Sequence, residues 1–371
     1  MRALAQTLAG DATYAAARST FRLVSRAEVM APWPWREKLW AWRRGFEISH
    51  AALYDRQRIE AGVYLTDYQR RFRCHALNDV PAVLRNKLLL RQLLAGVGIA
   101  HPETVAIVTA RGILASPIDQ PTEITSAELQ AQLSAGGGRF VFKPQDTERG
   151  ENIWLVESRQ GQGPVMRRGS QARAFNAWHH APRMGVLERA IEQHPFWHAL
   201  SPHSVNSIRV LTMWTPGDAA PFIARAVQRI GTARTLPTDN FAGGGIGAHI
   251  DLQTGVLGQG CTLPAAPLAG NGGPARHRAA APTLTHHPDT AAPIAGLTLP
   301  NWSKIKDAAL AAARCVRPYA RYVGWDIAVA HDGEPVIIEG NHNSSAVLLQ
   351  VERGLLEEDN VRRFYAACGV I

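Results

Sequence analysis

Apolar residues recur at helical spacing in the N-terminal part of the chain and again near its C-terminus. The first pattern has the i, i+4, i+7, i+11 spacing of one helix face and consists of Trp35, Leu39, Trp42 and Phe46. A second helix is predicted from Val83 through VLRNKLLLRQLLAGVGI, ending at Gly96 or Gly98, because glycine readily adopts the left-handed conformation that caps a helix. A third is predicted over WSKIKDAALAAARCVRPY, with Ser303 as its cap and Pro318 at its end.

Between these helices, short segments rich in β-branched and aromatic residues predict strands. They are VAIVTA, RFVFKP, IWLVE, RMGVLERAI, HSVNSIRVLTMW, PFIARAVQRIG and GAHIDLQTGVL, with TPGD and TG as turns. Residues 261–300 are rich in Ala, Pro and Gly and are expected to form a long surface excursion. The alternation predicts an α+β protein in which strands surround a cleft.

The segment GWDIAVAHDGEPVIIEGN places acidic side chains among β-formers. Its central Asp-Gly predicts a hairpin that brings Asp326 close to Glu339. Asn341 then lies on the same side as Glu339, because strand side chains alternate with period two. Three oxygen ligands at one point suit Mg²⁺ or Mn²⁺. The alternative is a hairpin whose acids are solvated at a strand end.

Composition and charge limit the class of protein. A chain of 371 residues with 46% hydrophobic and 19% charged residues is typical of a soluble globular protein with two or three subdomains. Most of the net charge of +9 lies in residues 1–91, which hold 16 Lys and Arg against 8 Asp and Glu. Such a bias favours a membrane surface, a nucleic acid or an acidic partner. Because the charges lie on mixed helical faces, a solvated helix surface is preferred and no nucleic-acid partner is expected.

The same reasoning applies to membranes and to redox environment. The basic, Trp-rich helix is expected to pack on the protein's own core, with contact to a membrane surface as the alternative. No apolar run reaches the roughly 18 residues that a membrane span needs. The four cysteines, Cys74, Cys261, Cys315 and Cys368, lie far apart in sequence without a metal-binding pattern. This spacing argues against structural zinc and fits a reducing cytoplasm.

A second candidate for chemistry is GRFVFKPQDTERGENIWLVE. Lys143 ends an apolar strand and is followed by a loop containing Gly150. A strand lysine beside a glycine loop is what phosphate binding requires, although many hairpins share this arrangement. The segment matches neither GxxxxGK[ST] nor GxGxxG, so a P-loop or Rossmann site is disfavoured.

In their order along the chain, these features resemble the ATP-grasp superfamily. The segments SVNSIRVLTMW, ARAVQRIG, TDNFAGGGIGAHID, HHPDT, LPNW and GWDIAV…IIEGN look most like its sugar-transfer-associated, α-L-glutamate-ligase-like branch. The resemblance covers residues 83–350 and implies an ATP-grasp fold, two α+β subdomains that grip ATP. It implies an ATP-grasp domain at 83–371, divided into an ATP-binding lobe at 83–190 and a catalytic lobe at 191–371, whereas residues 1–82 carry no family motif and are predicted to be helical from their apolar pattern.

The resemblance also implies roles on the nucleotide side. Lys87 and Lys143 match the lysines that contact ATP phosphates, with Gly150 in the covering loop. The segment from Glu188 through Arg189 to Ile191 matches the hinge strand that recognises adenine through its backbone. The metal ligands of the family match Asp326, Glu339 and Asn341, which would hold two Mg²⁺ ions.

On the acceptor side, Arg209 and Arg229 match arginines that face the reacting carboxylate. Guanidinium groups bind a carboxylate or acyl phosphate and stabilise charge on the transferred phosphoryl group. The alternative for both is ion pairing on the surface. Asn240 and the glycines Gly243 and Gly244 match the loop over the acceptor, and Asn206 and Ser207 are candidate substrate contacts.

The reaction implied is ATP-dependent activation of a carboxylate to an acyl phosphate, followed by attack of an amine. Products would be an amide, ADP and phosphate, in the biosynthesis of a natural product or a surface-saccharide conjugate. The substrates would thus be a small carboxylate and a small amine in the cytoplasm. Two alternatives stay open: a small-molecule kinase and a nucleotide-binding protein without turnover.

Overall fold

The computed structural model describes residues 33–117, 120–145, 153–168, 171–175, 184–263 and 283–371. Within these ranges, the chain forms two antiparallel sheets with helices packed on them, which confirms the predicted α+β class. Gly150 and much of the Ala/Pro/Gly-rich segment lie outside the described residues.

The first sheet contains the strands before residue 190. In spatial order its strands are β3-β2-β1-β8-β4-β5-β6-β7. They are β1 (Thr104–Thr109), β2 (Ile113–Ala115), β3 (Thr122–Ile124), β4 (Gly138–Pro144), β5 (Trp154–Ser158), β6 (Val165–Arg168), β7 (Gln171–Ala174) and β8 (Met184–Arg189). Helix α7 (Ser126–Gly136) starts with a capping box between Thr125 and Glu128, and it packs Leu129 and Leu133 onto this sheet.

The second sheet has the order β13-β12-β11-β10-β9-β14-β15. Its strands are β9 (Ile208–Met213), β10 (Phe222–Ile230), β11 (Ile246–Ile250), β12 (Leu257–Cys261), β13 (Thr283–Leu284), β14 (Tyr322–Val329) and β15 (Pro335–Asn341). One face packs against α9 (Trp302–Cys315) and the other against α11 (Asp359–Ala367). Period-two alternation sends Val210 to the first of these cores and Leu211 to the second.

Two helix predictions need correction. The helix expected from Val83 is broken at Asn86 into α5 (Ala82–Arg85) and α6 (Lys87–Ala95), because the Asn86 side chain accepts hydrogen bonds from the backbone N–H groups of Leu88 and Leu89. Asn301, in a left-handed conformation with φ of 56°, takes the cap position of α9 that had been expected for Ser303.

Helix α6 belongs to the core of the second sheet although it precedes the first sheet in sequence. Leu90 and Leu94 pack in the same cluster as Trp325 of β14. A Cβ on Gly340 of β15 would lie 3.1 Å from Leu84 and 3.4 Å from Leu90, so glycine permits this close approach. The first helices of the lobe predicted at 83–190, α5 and α6, therefore pack on the second sheet.

The N-terminal helices pack on the rest of the chain. They are α1 (Trp35–Arg43), α2 (Ile48–Ala51), α3 (Arg56–Glu60) and α4 (Asp67–Phe72). Two further short helices, α8 (Pro195–Leu200) and α10 (Ala346–Leu349), lie later in the chain. Trp42 and Phe46 are buried, as the apolar stripe predicts, whereas Trp35 is 60% exposed. Their core includes Phe241 and Val347 from the second sheet's side, so the described part of this region shares a core with segments that follow the first sheet.

Two of the sequence-based exclusions can be compared with the described residues. In these parts of the chain, no helix combines the length and apolar character that crossing a membrane would take. All four cysteines are free thiols.

Gln350 provides a test of how firmly the N-terminal helices are attached. Its buried amide accepts from Leu65 N at 3.0 Å and donates to Leu65 O at 2.9 Å and to Tyr54 Oη at 3.1 Å. Q350A leaves these groups unpaired in a buried site, so we expect the free energy of unfolding to fall by about 3 kcal/mol. Q57A, at an exposed glutamine on α3, should change it by less than about 0.5 kcal/mol. Urea denaturation measures both, and equal effects would contradict the attachment.

Candidate active site

The hairpin of β14 and β15 brings the predicted metal ligands together. Asp326 and Glu339 are direct cross-strand partners, and Asn341 Nδ2 lies 3.5 Å from Asp326 Oδ2 and 3.4 Å from Glu339 Oε1. The turn is the predicted Asp-Gly turn, in which Gly333 has φ of 87°. The expected convergence of three side chains is therefore confirmed.

Both predicted arginines reach this hairpin from the neighbouring strands. Arg209 on β9 is the cross-strand partner of Asp326 on one side and of Val227 of β10 on the other. Its guanidinium grips Asp326 through Nε and through Nη2, the latter at 2.9 Å from Oδ2. Arg229 Nη1 lies 2.9 Å from the same Oδ2. The antiparallel pairing predicted for these strands thus aims two guanidiniums at one carboxylate.

The two carboxylates of the hairpin have opposite electrostatic surroundings. Burial alone would raise the pKa of Asp326, but the charges of Arg209 and Arg229 hold that pKa well below its usual range. The pKa of Glu339 is raised, first by desolvation and then by the nearby charge of Asp326, while Lys87 and Lys143 act in the opposite direction. Glu339 is consequently the carboxylate of the pair that lacks full compensation.

The donor set fits a hard cation such as Mg²⁺. Asp326 and Glu339 supply carboxylate oxygens, each carboxylate with about four lone-pair directions, and Asn341 would supply its amide oxygen in place of the Nδ2 that faces both carboxylates here. Within the described ranges, His, Cys, Asp and Glu do not form a metal-binding group of three, so an amide completes this set. Because Asp326 already binds two arginines, Glu339 is the ligand best able to accept a cation's charge.

Asp239 is a member of the site that sequence reasoning missed. Its Oδ1 lies 2.6 Å from Arg229 Nη2, and its Oδ2 accepts from Ser207 N at 2.7 Å and from Ser207 Oγ at 2.5 Å. Arg229 is therefore shared between Asp239 and Asp326. The sequence offered one signal, the position of Asp239 directly before Asn240 in TDNFAGGG.

The predicted acceptor loop is a tight turn beside these charges. Asn240 accepts a hydrogen bond from Ala242 N and so caps the 3-10 turn Phe241–Gly243. Gly244 has φ of 108°, a conformation that other residues rarely adopt. A Cβ on Gly245 would lie 2.8 Å from the Asp239 carbonyl oxygen, so the turn itself requires glycine at positions 244 and 245.

Asn206 and Ser207 lie beneath this loop and are both buried. Asn206 Nδ2 donates to Trp197 O at 2.8 Å and to Ser201 O at 3.0 Å, and its Oδ1 accepts from Gly231 N at 3.0 Å. A substrate contact by Asn206, as predicted from sequence, would have to compete with these bonds.

The predicted nucleotide lysines lie on facing elements. Lys143 on β4 forms a buried ion pair with Glu188 on β8, with 2.7 Å between Nζ and Oε2. Lys87 at the start of α6 donates to the backbone oxygen of Gln145, just past β4, at 3.3 Å. The charges of both lysines act to lower the pKa of Glu339, against the effects of burial and of Asp326.

The predicted hinge is the crossover between the two sheets. Ala190 N donates to Arg139 O of β4 at 2.9 Å, and His194 N donates to Val329 O of β14 at 3.0 Å. Arg189 is exposed and pairs with Glu103 at 2.8 Å, while Ile191 is partly buried. The backbone from Glu188 to Ile191 therefore lies where the chain leaves the first sheet for the second.

Comparison with known proteins gives one family match. The model of the sugar-transfer associated ATP-grasp family matches residues 67–363. No curated protein matches the sequence.

Solved structures with a similar chain path are distant in sequence. D-alanine–D-alanine ligase from Bacillus anthracis has 12% identity and a TM-score of 0.36, over 77% of this chain and 66% of that chain. The ATP-grasp ligase PsnB, complexed with Mg, ADP and a phosphomimetic variant of its minimal precursor, has 13% identity and a TM-score of 0.38, over 90% and 71%. D-alanyl-alanine synthetase A from Vibrio cholerae has 11% identity and a TM-score of 0.39, over 78% and 65%. The chain thus spans about two thirds of the length of the first and third of these structures.

The unequal surroundings of the paired acids predict unequal effects of one chemical change. D326N leaves Arg209 and Arg229 without their shared carboxylate in a buried site, so the free energy of unfolding should fall by about 3–5 kcal/mol. E339Q removes a charge that Asp326 repels, so unfolding should change by less than about 1 kcal/mol. Denaturation with guanidinium chloride in the presence of a chelator measures the free energy of unfolding of both variants.

The two variants control for each other, because each exchanges an acid for its amide within one strand pair. Equal losses would show that the arginines do not depend on Asp326.

Proposed function

The chain belongs to the sugar-transfer associated ATP-grasp family, and on that premise we propose that it is an ATP-dependent carboxylate–amine ligase. The observation that carries this proposal is the grouping of Arg209 and Arg229 around the Asp326–Glu339 pair, within electrostatic reach of Lys87 and Lys143. Transfer of a phosphoryl group to a carboxylate requires such a cluster, because both reactants are anions and must be brought together.

On the nucleotide side, Lys87 and Lys143 bind ATP phosphates as point charges from opposite elements of the cleft. The backbone of Glu188 to Ile191 receives the adenine, and Gly150, which lies outside the described residues, is proposed as a further phosphate contact. Support for this placement comes from the crossover position of the hinge segment and from the effect of both lysines on Glu339.

Asp326, Glu339 and Asn341 hold Mg²⁺, with Glu339 as the principal ligand. Bound Mg²⁺, two ions in this proposal, would neutralise charge on the phosphates and align the γ-phosphoryl group with its acceptor. The strand pairing of β14 and β15 keeps the three side chains at fixed separations, which limits the reorganisation that binding requires.

On the acceptor side, Arg229 stabilises the phosphoryl group in transfer and Arg209 orients the substrate carboxylate. Asp239 restrains one edge of Arg229, so that the guanidinium can serve the acceptor without leaving the hairpin. The turn at Asn240, Gly243 and Gly244 lies over the acceptor. An amine then attacks the acyl phosphate, releasing phosphate and leaving an amide.

The substrates are a small carboxylate and a small amine, and the product belongs to a natural product or surface-saccharide conjugate. The four free thiols fit the reducing cytoplasm as its location.

Trapping the activated carboxylate tests the reaction class. Hydroxylamine replaces the amine as a nucleophile, so hydroxamate should accumulate when the enzyme is given ATP, Mg²⁺, hydroxylamine and the correct acid from a panel of amino acids and sugar acids. Mass spectrometry of products and assay of released phosphate provide the readout, with E339Q as the inactive control. A stable phosphorylated metabolite without hydroxamate would indicate the kinase instead.

Conservative changes at the arginines test their separate roles. R229K keeps a positive charge but loses the fork that serves two carboxylates, so kcat should fall on the order of a hundredfold, corresponding to about 3 kcal/mol, while nucleotide affinity stays near normal. R209K should mainly raise KM for the carboxylate. Steady-state kinetics of both variants, with the carboxylate identified by hydroxamate trapping as substrate, measure kcat and KM. Small and equal changes of every constant in the two variants would contradict these roles.

A further inference from the structure

A buried carboxylate on the nucleotide side of the cleft pairs with two cations at once. Glu188 Oε2 lies 2.7 Å from Lys143 Nζ, and Oε1 forms an ion pair with the guanidinium of Arg91. All three side chains are less than 10% exposed. Arg91 also donates from Nη1 to Thr104 Oγ1 at 3.2 Å.

The three residues come from both sides of the cleft. Lys143 and Glu188 lie on the adjacent strands β4 and β8 of the first sheet, where Lys143 is opposite Val186. Arg91 lies on α6, which packs in the core of the second sheet. Lys87 lies one turn before Arg91 on α6, and its contact with the Gln145 backbone gives that helix a second link to the end of β4.

The energetics of burial make this grouping informative. Buried ion pairs rarely stabilise a protein more than apolar packing would, whereas removing one partner is strongly destabilising. A single carboxylate between two cations also leaves a net positive charge, which suits a site for an anion. Burial lowers the pKa of Lys143, the charge of Glu188 raises it, and the charge of Arg91 lowers it again.

We propose that Arg91 is a positioning residue for nucleotide binding, because it compensates Glu188 and so lets Lys143 exchange Glu188 for a nucleotide phosphate. The inference rests on the proposed function, in which Lys143 binds ATP phosphate. Without Arg91, Lys143 would be the only cation paired with the Glu188 carboxylate, which would hold it more strongly and would repel the incoming phosphates. With both charges of the Arg91–Glu188 pair removed, Lys143 would be released.

The proposal is tested by the nucleotide affinity of variants that lack one or both charges of the Arg91–Glu188 pair. The probes are MgADP and the magnesium complex of a non-hydrolysable ATP analogue, measured by calorimetry on the full chain. R91M should weaken binding at least about tenfold, because it removes one positive charge and strengthens the hold of Glu188 on Lys143. R91M/E188Q should return affinity to within about threefold of wild type, because it restores the net charge and frees Lys143. R91K, which keeps the charge, should also stay within about threefold.

A purely structural role for Arg91 predicts a different order, since the double variant would then bind no better than R91M. R314M, at an exposed arginine of α9, serves as the remote control and should bind as wild type does. If R91M does not fold, R91Q takes its place, because its amide can still donate a hydrogen bond inside the cluster.

The outcomes separate the two proposals. Wild-type protein that binds neither nucleotide would overturn the proposed function, and this inference with it. Wild-type binding together with unchanged affinity in R91M or R91Q, or without recovery in the double variant, would overturn the role of Arg91 alone.

Discussion

The sharing of Asp326 between Arg209 and Arg229 is the interaction on which the site depends. A carboxylate that is 4% exposed remains charged only if its partners offset the loss of hydration, and here two guanidiniums do so. The arrangement requires β10, β9 and β14 to lie side by side in one register. Because a shift of one residue would turn every side chain to the opposite face, the ion cluster and the apolar packing of the sheet specify the same pairing.

Glu339 has different electrostatic surroundings from Asp326, although the two side chains are neighbours. It stands opposite Asp326 in the strand pair, yet burial and the charge of Asp326 raise the pKa of Glu339, whereas the arginines lower that of Asp326. One hairpin thus contains a carboxylate fixed by protein cations beside another that is suited to an external cation. This asymmetry is a physical basis for the proposed division of the site, with metal and phosphate binding at the edge strand β15 and anion recognition by arginines on the central strands β9 and β10.

Other parts of the chain pack around the hairpin and the arginine strands. Phe241, within the acceptor turn, packs in the same core as Tyr54 and Tyr64 of the N-terminal region. Helix α6 packs in the core of the second sheet and makes polar contacts to the first sheet through Lys87 and Arg91. The described N-terminal residues therefore pack behind the turn that contains Phe241, and α6 gives the two sheets a polar connection.

The sequence by itself determined the features that depend on neighbours along the chain. Period-two alternation and the Asp-Gly turn were sufficient to bring Asp326 close to Glu339, although a register shift after Asp326 makes the two direct partners; the short connection TPGDAAP placed Arg209 and Arg229 on neighbouring strands. The order of motifs indicated the family, which the match over residues 67–363 shows.

Tertiary structure decided what depends on distant contacts. The capture of Arg229 by Asp239 and the pairing of Arg91 with Glu188 each join segments whose meeting no local periodicity encodes. Likewise, the bonds that occupy Asn206 arise from loops that converge only when the second sheet has formed. Local spacing specifies which face a side chain occupies, but the partner across that face is selected by the packing of the whole chain.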